Sequence, residues 1–256
     1  MTRIEVSGMG SVDWHGTRRE RVRASTVQEI RQVARRLLLD QGSEGVSLRA
    51  IAREMGMTAP ALYRYFENHE ALLTALADDL FAELCEALEA ARDAEPPDDV
   101  VGRLYAVSRA FRQWSVDHRR EFTVLFGQPL PGLAEVEDCP APNSMRFGQI
   151  FLELFVAQWH RQPFPILADD QMLPGLRRQL ATYAADIGLR DVPLGALQTF
   201  LTCWVRLYGL VALEVFNHLT WALTEAQPLF EAGMIEAAQL LGVEPRPPVD
   251  LPEVTA

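Results

Sequence analysis

Apolar residues recur at intervals of three and four positions along most of the chain, the spacing that places them on one face of an α-helix. Alternation of apolar and polar residues, the pattern of a strand, is scarce. The periodicity predicts helices at about 26–41, 48–55, 58–66, 68–92, 99–117, 119–126, 144–161, 172–186, 193–219 and 225–241. We therefore predict an all-α fold in which a small three-helix head is joined through one long helix to a larger helical bundle.

Residues that start and stop helices separate these apolar stripes. Gly42 ends the first helix, and Ser47, Thr58 and Asn68 stand where the next three begin, as N-cap residues. Pro60 falls in the first turn of its helix, where no backbone N–H is needed.

The segments outside the helices set the domain boundaries. Proline and acidic residues dominate 127–144, which predicts a long surface loop. We expect four parts along the chain: a flexible basic arm at 1–24, the head at 25–70, the bundle at 71–244 and a flexible tail at 245–256.

Charge is divided unevenly between the head and the bundle. The formal net charge is −11, yet residues 1–66 hold 11 arginines against 7 acidic residues, a net charge of +4. Residues 67–256 carry the opposite sign, −15. A basic head on an acidic body suits an acidic partner for the head alone, because the body would repel a polyanion.

Cysteine usage and hydropathy favour a cytoplasmic protein with reduced thiols. Cys85, Cys139 and Cys203 are odd in number and widely spaced, so neither a disulfide framework nor a zinc site is predicted. Cys139 is the best candidate for a redox-sensing thiol. The amino terminus lacks the apolar run of a signal peptide. The apolar stretch 197–219 carries Arg206 and Glu214, so we expect a buried helix rather than a membrane span.

The stretch "SLRAIAREMGMTAPALYRYF" fits a helix-turn-helix unit, because a short turn with a glycine joins two short helical patterns. Its internal packing would come from the apolar residues Leu48, Ile51, Ala52, Leu62 and Phe66. The start of the second helix would then point away from that core, as does the end that enters a major groove of DNA.

The residue types at this outward end suit contacts with DNA. Hydroxyl groups and an arginine can bind phosphates or base edges, and methyl groups can contact thymine. The residues concerned are Ser47, Thr58, Ala59, Pro60, Ala61, Tyr63 and Arg64, with Arg18, Arg19, Arg21 and Arg23 as a mobile basic arm. Alternatively, Tyr63 and Tyr65 belong to the core of the head.

The segment "VSLRAIAREMGMTAPALYRYFENHEALL" closely resembles the DNA-binding domain of tetracycline-repressor-like (TetR-family) bacterial transcription regulators. The resemblance implies a three-helix head, a long fourth helix and a helical ligand-binding domain. By position, it assigns DNA contact to Ser47, Thr58, Ala59, Pro60, Ala61, Tyr63, Arg64 and His69. His69 stands where the family commonly has lysine, and Glu67, where a basic or neutral residue is common, is left out of the set.

The segment "WVRLYGLVALEVF" is similar to a subgroup of these regulators whose penultimate long helix carries a tryptophan and an aromatic–glycine pair, here Trp204, Tyr208 and Gly209. The resemblance implies a homodimer. The last two predicted helices are its best interface, because their apolar residues cover more of the circumference than one buried stripe needs. Arg206 and Glu214 would pair within or across that interface, or reach its rim.

Aromatic residues in the bundle either form a well-packed core or line a pocket for a small effector. The candidates for a pocket lie on the middle helices and near the carboxy terminus: Phe111, Trp114, Phe126, Phe151, Phe155, Trp159 and Trp204, with His118, Gln158 and Arg206 as polar anchors.

These observations predict a ligand-responsive DNA-binding regulator, by family default a repressor. It would bind a pseudo-palindromic operator in double-stranded DNA as a homodimer and be released by a small, largely apolar effector. The alternative is a helical protein-interaction module. We do not expect an enzyme, a cofactor or a metal site, because the sequence has no nucleophile elbow, phosphate loop or dinucleotide fingerprint and its five histidines lack ligand spacing.

Overall fold

A computed structural model describes residues 17–42, 45–127 and 142–248. Several of the features predicted above lie outside these residues. They are Cys139, the loop residues 128–141, the first sixteen residues of the chain and the last eight.

The described residues fold into helices, as predicted, and contain no strand. The α-helices are α1 (Arg18–Gln41), α2 (Leu48–Glu54), α3 (Ala59–Leu62), α4 (His69–Ala94), α5 (Val100–Asp117), α6 (Arg119–Phe122), α7 (Pro142–Arg161), α8 (Pro174–Asp186), α9 (Leu194–Val215) and α10 (Gln227–Leu240). A five-residue π-helical segment, Thr123–Gly127, follows α6 directly.

The chain divides into two compact units, Met1–Leu72 and Leu73–Ala256, so α4 begins in the first unit and continues in the second. In the first unit α1 contacts α2 and α2 contacts α3. Each of these helices buries one apolar stripe, as helical periodicity predicts. The buried residues include Ile30, Ala34, Leu38, Val46, Leu48, Ile51, Ala52, Leu62 and Phe66.

The basic arm predicted at residues 1–24 is wrong for residues 18–24, which are the first two turns of α1. Thr17 and Glu20 form a capping box: the Glu20 amide donates to the Thr17 hydroxyl, and the Thr17 amide donates to the Glu20 carboxylate. Arg23 donates to the Arg64 carbonyl at 3.1 Å and lies over the Tyr65 ring. The threonine–glutamate spacing is the signal in the sequence that would have placed the start of this helix.

In the second unit α5 contacts α7 and α9, and α9 also contacts α8 and α10. Phe111 is fully buried at the centre of an aromatic cluster. Its ring centroid lies 5.6 to 6.3 Å from those of Phe122, Phe126, Phe147, Phe151 and Trp204. Ring pairs at such separations add directional attraction to area burial.

Two arginines of α5 make bidentate ion pairs with the last two helices. Arg112 pairs with Glu214 of α9 at 2.6 Å, and Arg109 pairs with Glu231 of α10 at 2.8 Å. Arg206 pairs instead with Glu236, also at 2.6 Å. Within the chain, Arg206 and Glu214 therefore each pair with a residue of a neighbouring helix, and their predicted place at a dimer interface or its rim stays a prediction.

Helix α9 has one buried face and one exposed face. Leu207, Val211 and Val215 are buried, whereas Val205 and Leu213 are exposed. Among the described helices, α9 alone has the length and composition of a membrane span, although it packs against α5, α8 and α10 here. The predicted buried helix is thus only half covered by its own chain.

Candidate DNA-binding surface and ligand pocket

The turn between α2 and α3 sets the direction of the second helix of the helix-turn-helix unit. Gly56 has φ of +65°, a left-handed conformation that residues with a Cβ rarely adopt. It ends α2 in a Schellman-type turn, in which the Met57 amide donates to the Ala52 carbonyl at 2.8 Å. Helix α3 begins two residues later, with Pro60 in its first turn.

Local hydrogen bonds fix the starts of the helices around this turn. Ser47 caps α2, because its hydroxyl accepts from the Ala50 amide at 3.1 Å. Asn68 accepts from the Ala71 amide at 2.7 Å, where α4 begins. Both predicted caps are confirmed, whereas Thr58 stands at the N-cap of α3 without a side-chain capping bond. The Thr58 hydroxyl is therefore not used to cap its own helix.

The apolar support of this surface is buried as predicted: Leu48, Ile51, Ala52, Leu62 and Phe66 face inward. The predicted contact residues lie on the other side of the same short helices. Ser47, Thr58, Pro60, Tyr63, Arg64 and His69 are exposed, and Ala59 and Ala61 are half-buried. Tyr63 keeps 55% of its surface accessible, which argues against its assignment to the core.

Arg49 is a further exposed cation beside this surface that the sequence reasoning did not single out. It lies two residues after the Ser47 cap, in the first turn of α2. The signal was present, since Arg49 falls between the buried positions Leu48 and Ile51 of the apolar stripe.

The second unit contains an apolar pocket between α5, α7, α9 and α10, with a volume of about 70 Å³. Three predicted residues line it, namely Phe151, Phe155 and Trp204. The remaining lining residues are Val101, Leu104, Tyr105, Ser108, Phe200, Cys203, Leu207, Met234, Ala237, Ala238, Leu241 and Val243.

The other predicted pocket residues lie elsewhere in the second unit. Phe111 and Phe126 belong to the aromatic cluster, Trp114 stacks on His118, and Trp159 packs against Phe164. Gln158 is buried, and its side-chain oxygen has no hydrogen-bond partner. Arg206 is exposed and engaged by Glu236.

The pocket residues that sequence reasoning missed come from α5, α9 and α10 and from the chain just after α10. Phe200, Cys203 and Leu207 lie on α9, on either side of the predicted Trp204. Leu104, Tyr105 and Ser108 come from α5 one to two turns before the predicted Phe111 and Trp114. Met234 and its neighbours come from α10, which had been assigned to the dimer interface alone.

The few polar groups of the pocket wall are uncharged at neutral pH. Burial raises the pKa of the Cys203 thiol to about 11 and raises the pKa of the Tyr105 phenol. The Tyr105 hydroxyl donates to the Met234 carbonyl at 3.3 Å. Ser108 completes this set and is itself buried.

The chain after α10 forms part of the pocket wall. Val243 lines the pocket, and the carbonyl of the adjacent Gly242 accepts from the Gln162 side chain at 2.9 Å. Arg246 binds the Asp99 carboxylate at 2.6 Å, and Arg109 donates to the Pro247 carbonyl at 2.8 Å. The prediction of a flexible tail from residue 245 is therefore wrong for Arg246 and Pro247, which are anchored at the N-cap of α5 and on α5.

Across residues 17–42, 45–127 and 142–248, no group of three or more His, Cys, Asp or Glu side chains is placed to hold a metal ion.

An exposed helix-turn-helix surface in one unit and a helical bundle with an apolar pocket in the other define the class of helix-turn-helix transcriptional regulators. Comparison with known proteins agrees. Residues 30–76 match the family model of bacterial regulatory proteins of the tetR family, and residues 104–236 match the tetracyclin repressor-like C-terminal domain. The chain belongs to the TetR family of bacterial transcriptional regulators, which are not enzymes.

Individual relatives extend this similarity over most of the chain. An HTH-type transcriptional regulator of Mycobacterium tuberculosis is 31% identical over 199 residues, 78% of this chain and 82% of the relative. The solved structure of regulatory protein SCO4313 is 28% identical, with a TM-score of 0.64 over 88% of this chain and 100% of that one. A TetR/AcrR-family regulator from Thermobifida fusca, at 18% identity, has a TM-score of 0.51 over 87% of this chain and 100% of that one, and shows the shared fold.

Proposed function

We propose that this protein is a cytoplasmic repressor that binds a pseudo-palindromic operator as a homodimer and is released by a small, largely apolar effector. The observation that carries the DNA-binding part is the outward placement of Thr58, Pro60, Tyr63 and Arg64 on a buried apolar support. The acidic charge is concentrated after residue 66, which leaves the helix-turn-helix unit as the part suited to a polyanion.

Each exposed group of the surface has a role that DNA chemistry supports. Thr58 and the methyl groups of Ala59 and Ala61 would contact base edges in the major groove. Tyr63 and Arg64 would bind phosphates, or in the case of Arg64 a guanine.

Groups at the starts of two flanking helices would bind the DNA backbone. Ser47 and Arg49 would meet a phosphate at the amino terminus of α2, where backbone amides favour anions. His69, the first residue of α4, would add a further contact to the DNA backbone.

The exposed apolar side chains of α9 and α10 support a dimer interface on these helices. Val205, Leu213 and Leu229 are exposed, and Trp221, between the two helices, keeps 85% of its surface accessible. Two copies of this helix pair would bury these side chains in a four-helix interface. A dimer would place its recognition helices in major grooves ~34–36 Å apart, or a multiple of that distance.

The same two helices support a route from the effector to the dimer. Phe200, Cys203 and Trp204 face the pocket, whereas Val205 and Leu213 are on the exposed face of the same helix. A ligand that shifts α9 would therefore alter the interface that sets the spacing of the two DNA-binding units. Coupling of ~1–3 kcal/mol is typical of such linkage.

DNA binding is tested by fluorescence anisotropy with labelled duplexes from upstream of the protein's own gene and of adjacent genes. We expect at least one duplex to bind at least about 1,000-fold more tightly than random sequence, with an affinity that falls steeply between low and moderate salt. Equal affinity for all duplexes would contradict the proposal. Salt-independent capture of a protein partner with no DNA binding would favour the interaction module instead.

The dimer interface is tested by placing charge on the exposed face of α9. Val205→Glu combined with Leu213→Glu is expected to weaken dimerisation by at least about 100-fold, because two carboxylates would be buried without partners. Analytical ultracentrifugation measures the dissociation constant. Tyr183→Glu on α8, also an exposed apolar position, is the matched control. An unchanged dimer in the α9 variant would place the interface elsewhere.

A further inference from the structure

Among the described residues that line the apolar pocket, none has a charged side chain. Two arginines beside lining residues are already paired, Arg109 with Glu231 and Arg206 with Glu236. An ionised ligand would lose its hydration in this pocket without gaining a countercharge, which is strongly unfavourable. The wall therefore selects against ionised molecules.

Of the two hydroxyl groups in this wall, that of Ser108 remains open to a ligand. Its side chain is 94% buried, since its exposure is 6%, and it lines the pocket from the middle of α5. Among the described residues its hydroxyl makes no hydrogen bond, whereas the Tyr105 hydroxyl is already donated to the Met234 carbonyl. A hydroxyl that lines an apolar pocket without a protein partner can pair with a ligand group, and that hydrogen bond adds to the affinity.

We propose that the pocket binds a neutral, mainly apolar molecule of about one ring that carries one hydrogen-bonding group, and that the Ser108 hydroxyl receives this group. The proposal rests on the proposed function, since it names the class of effector that the regulator would take. A volume of about 70 Å³ limits the ligand to a small molecule. The rings of Tyr105, Phe151, Phe155, Phe200 and Trp204 favour an aromatic ligand.

The proposed hydrogen bond to Ser108 leads to a prediction that simple hydrophobic binding does not make. A purely apolar ligand leaves the serine hydroxyl unpaired both before and after binding. The affinity for such a ligand is therefore insensitive to loss of that hydroxyl. A ligand with one hydroxyl group loses a hydrogen bond when Ser108 becomes alanine. One net hydrogen bond corresponds to an affinity ratio of about 5-fold.

The test uses the full-length protein and titration calorimetry with four probes of similar size: benzyl alcohol, ethylbenzene, benzoate and benzylammonium. We expect the wild-type protein to bind the two neutral probes and neither ion. In Ser108→Ala the affinity for benzyl alcohol should fall about 5-fold relative to ethylbenzene.

Two further variants keep the result interpretable. Ser115→Ala is the matched control, because Ser115 is also a buried serine of α5 but its hydroxyl donates to the Phe111 carbonyl at 2.7 Å. This variant should leave the ratio of the affinities for the two neutral probes unchanged. Ser108→Thr keeps a hydroxyl group and should keep the wild-type ratio, which supplies the comparison if the alanine variant does not fold.

Three results would overturn the inference: no binding of either neutral probe up to its solubility limit, binding of the ions as tight as that of benzyl alcohol, or the same probe ratio in Ser108→Ala as in wild type. Operator binding by the same preparations separates this outcome from failure of the proposed function. If DNA binding is intact but the affinities for the four probes do not follow the expected order, only the ligand class is refuted. An intact probe pattern without DNA binding refutes only the regulator.

Discussion

Replacing Tyr63 and Arg64 together with alanine is expected to lower operator affinity by at least about 100-fold at fixed salt while the protein stays folded. Each contact to a base or phosphate contributes about 1–3 kcal/mol, so two lost contacts suffice for this factor. Tyr63 is 55% exposed and Arg64 is exposed, so their truncation removes little buried apolar surface. Anisotropy with the operator duplex measures the affinity, and thermal unfolding measures the stability.

A matched pair of substitutions in the other unit controls for loss of an exposed tyrosine and an exposed arginine. Arg178→Ala with Tyr183→Ala, both on α8, should leave operator affinity unchanged. The salt dependence gives a second readout, because removal of one phosphate contact reduces its slope by about 1. Unfolding of the Tyr63 and Arg64 variant would assign Tyr63 to the core, and unchanged affinity would move the DNA contacts elsewhere.

The helix-turn-helix unit was predictable because its determinants are local in sequence. The apolar stripe of Leu48, Ile51 and Ala52, the Ser47 cap and the Gly56 turn all lie within ten residues of one another. Local patterns of this kind decide which side of a short helix is buried, and the exposed side follows. The start of α1 is not predictable in this way, since its first two turns are rich in arginine and lack apolar periodicity.

The pocket was only partly predictable because its wall depends on contacts between distant helices. Periodicity places both Phe111 and Phe151 on the inner faces of α5 and α7, and both are buried. It does not say that Phe111 is surrounded by rings whereas Phe151 also borders a cavity. That difference depends on the angles at which four helices pack against one another. No short stretch of sequence determines these angles.

The partners in the ion pairs were likewise not predictable, because they too depend on contacts between distant helices. Arg206 and Glu214 are two helical turns apart on α9, and their charges look complementary in the sequence. In the structure Glu214 faces α5 and Arg206 faces α10, so each meets a different partner at the same 2.6 Å separation. The two pairs differ in burial, and burial decides how much each contributes to stability.

Glu214→Ala is expected to lower the free energy of unfolding by about 3–5 kcal/mol, because it leaves the Arg112 guanidinium nearly buried without a countercharge. The Arg112 and Glu214 side chains are 14% and 11% exposed, and Arg112 also lies over the Phe230 ring. Urea unfolding followed by tryptophan fluorescence, at fixed protein concentration, measures the change.

Glu236→Ala is the matched control, since it removes the α10 carboxylate from an equally short pair whose arginine, Arg206, lies on α9. The Arg206 and Glu236 side chains are 43% and 60% exposed, so water replaces the lost partner and the expected cost is about 0–1 kcal/mol. The double variant Arg112→Met with Glu214→Leu should recover much of the stability lost in Glu214→Ala, because no buried charge remains. Equal losses in the two single variants would mean that solvent reaches Arg112 despite its burial, and that packing rather than charge fixes α5 against α9.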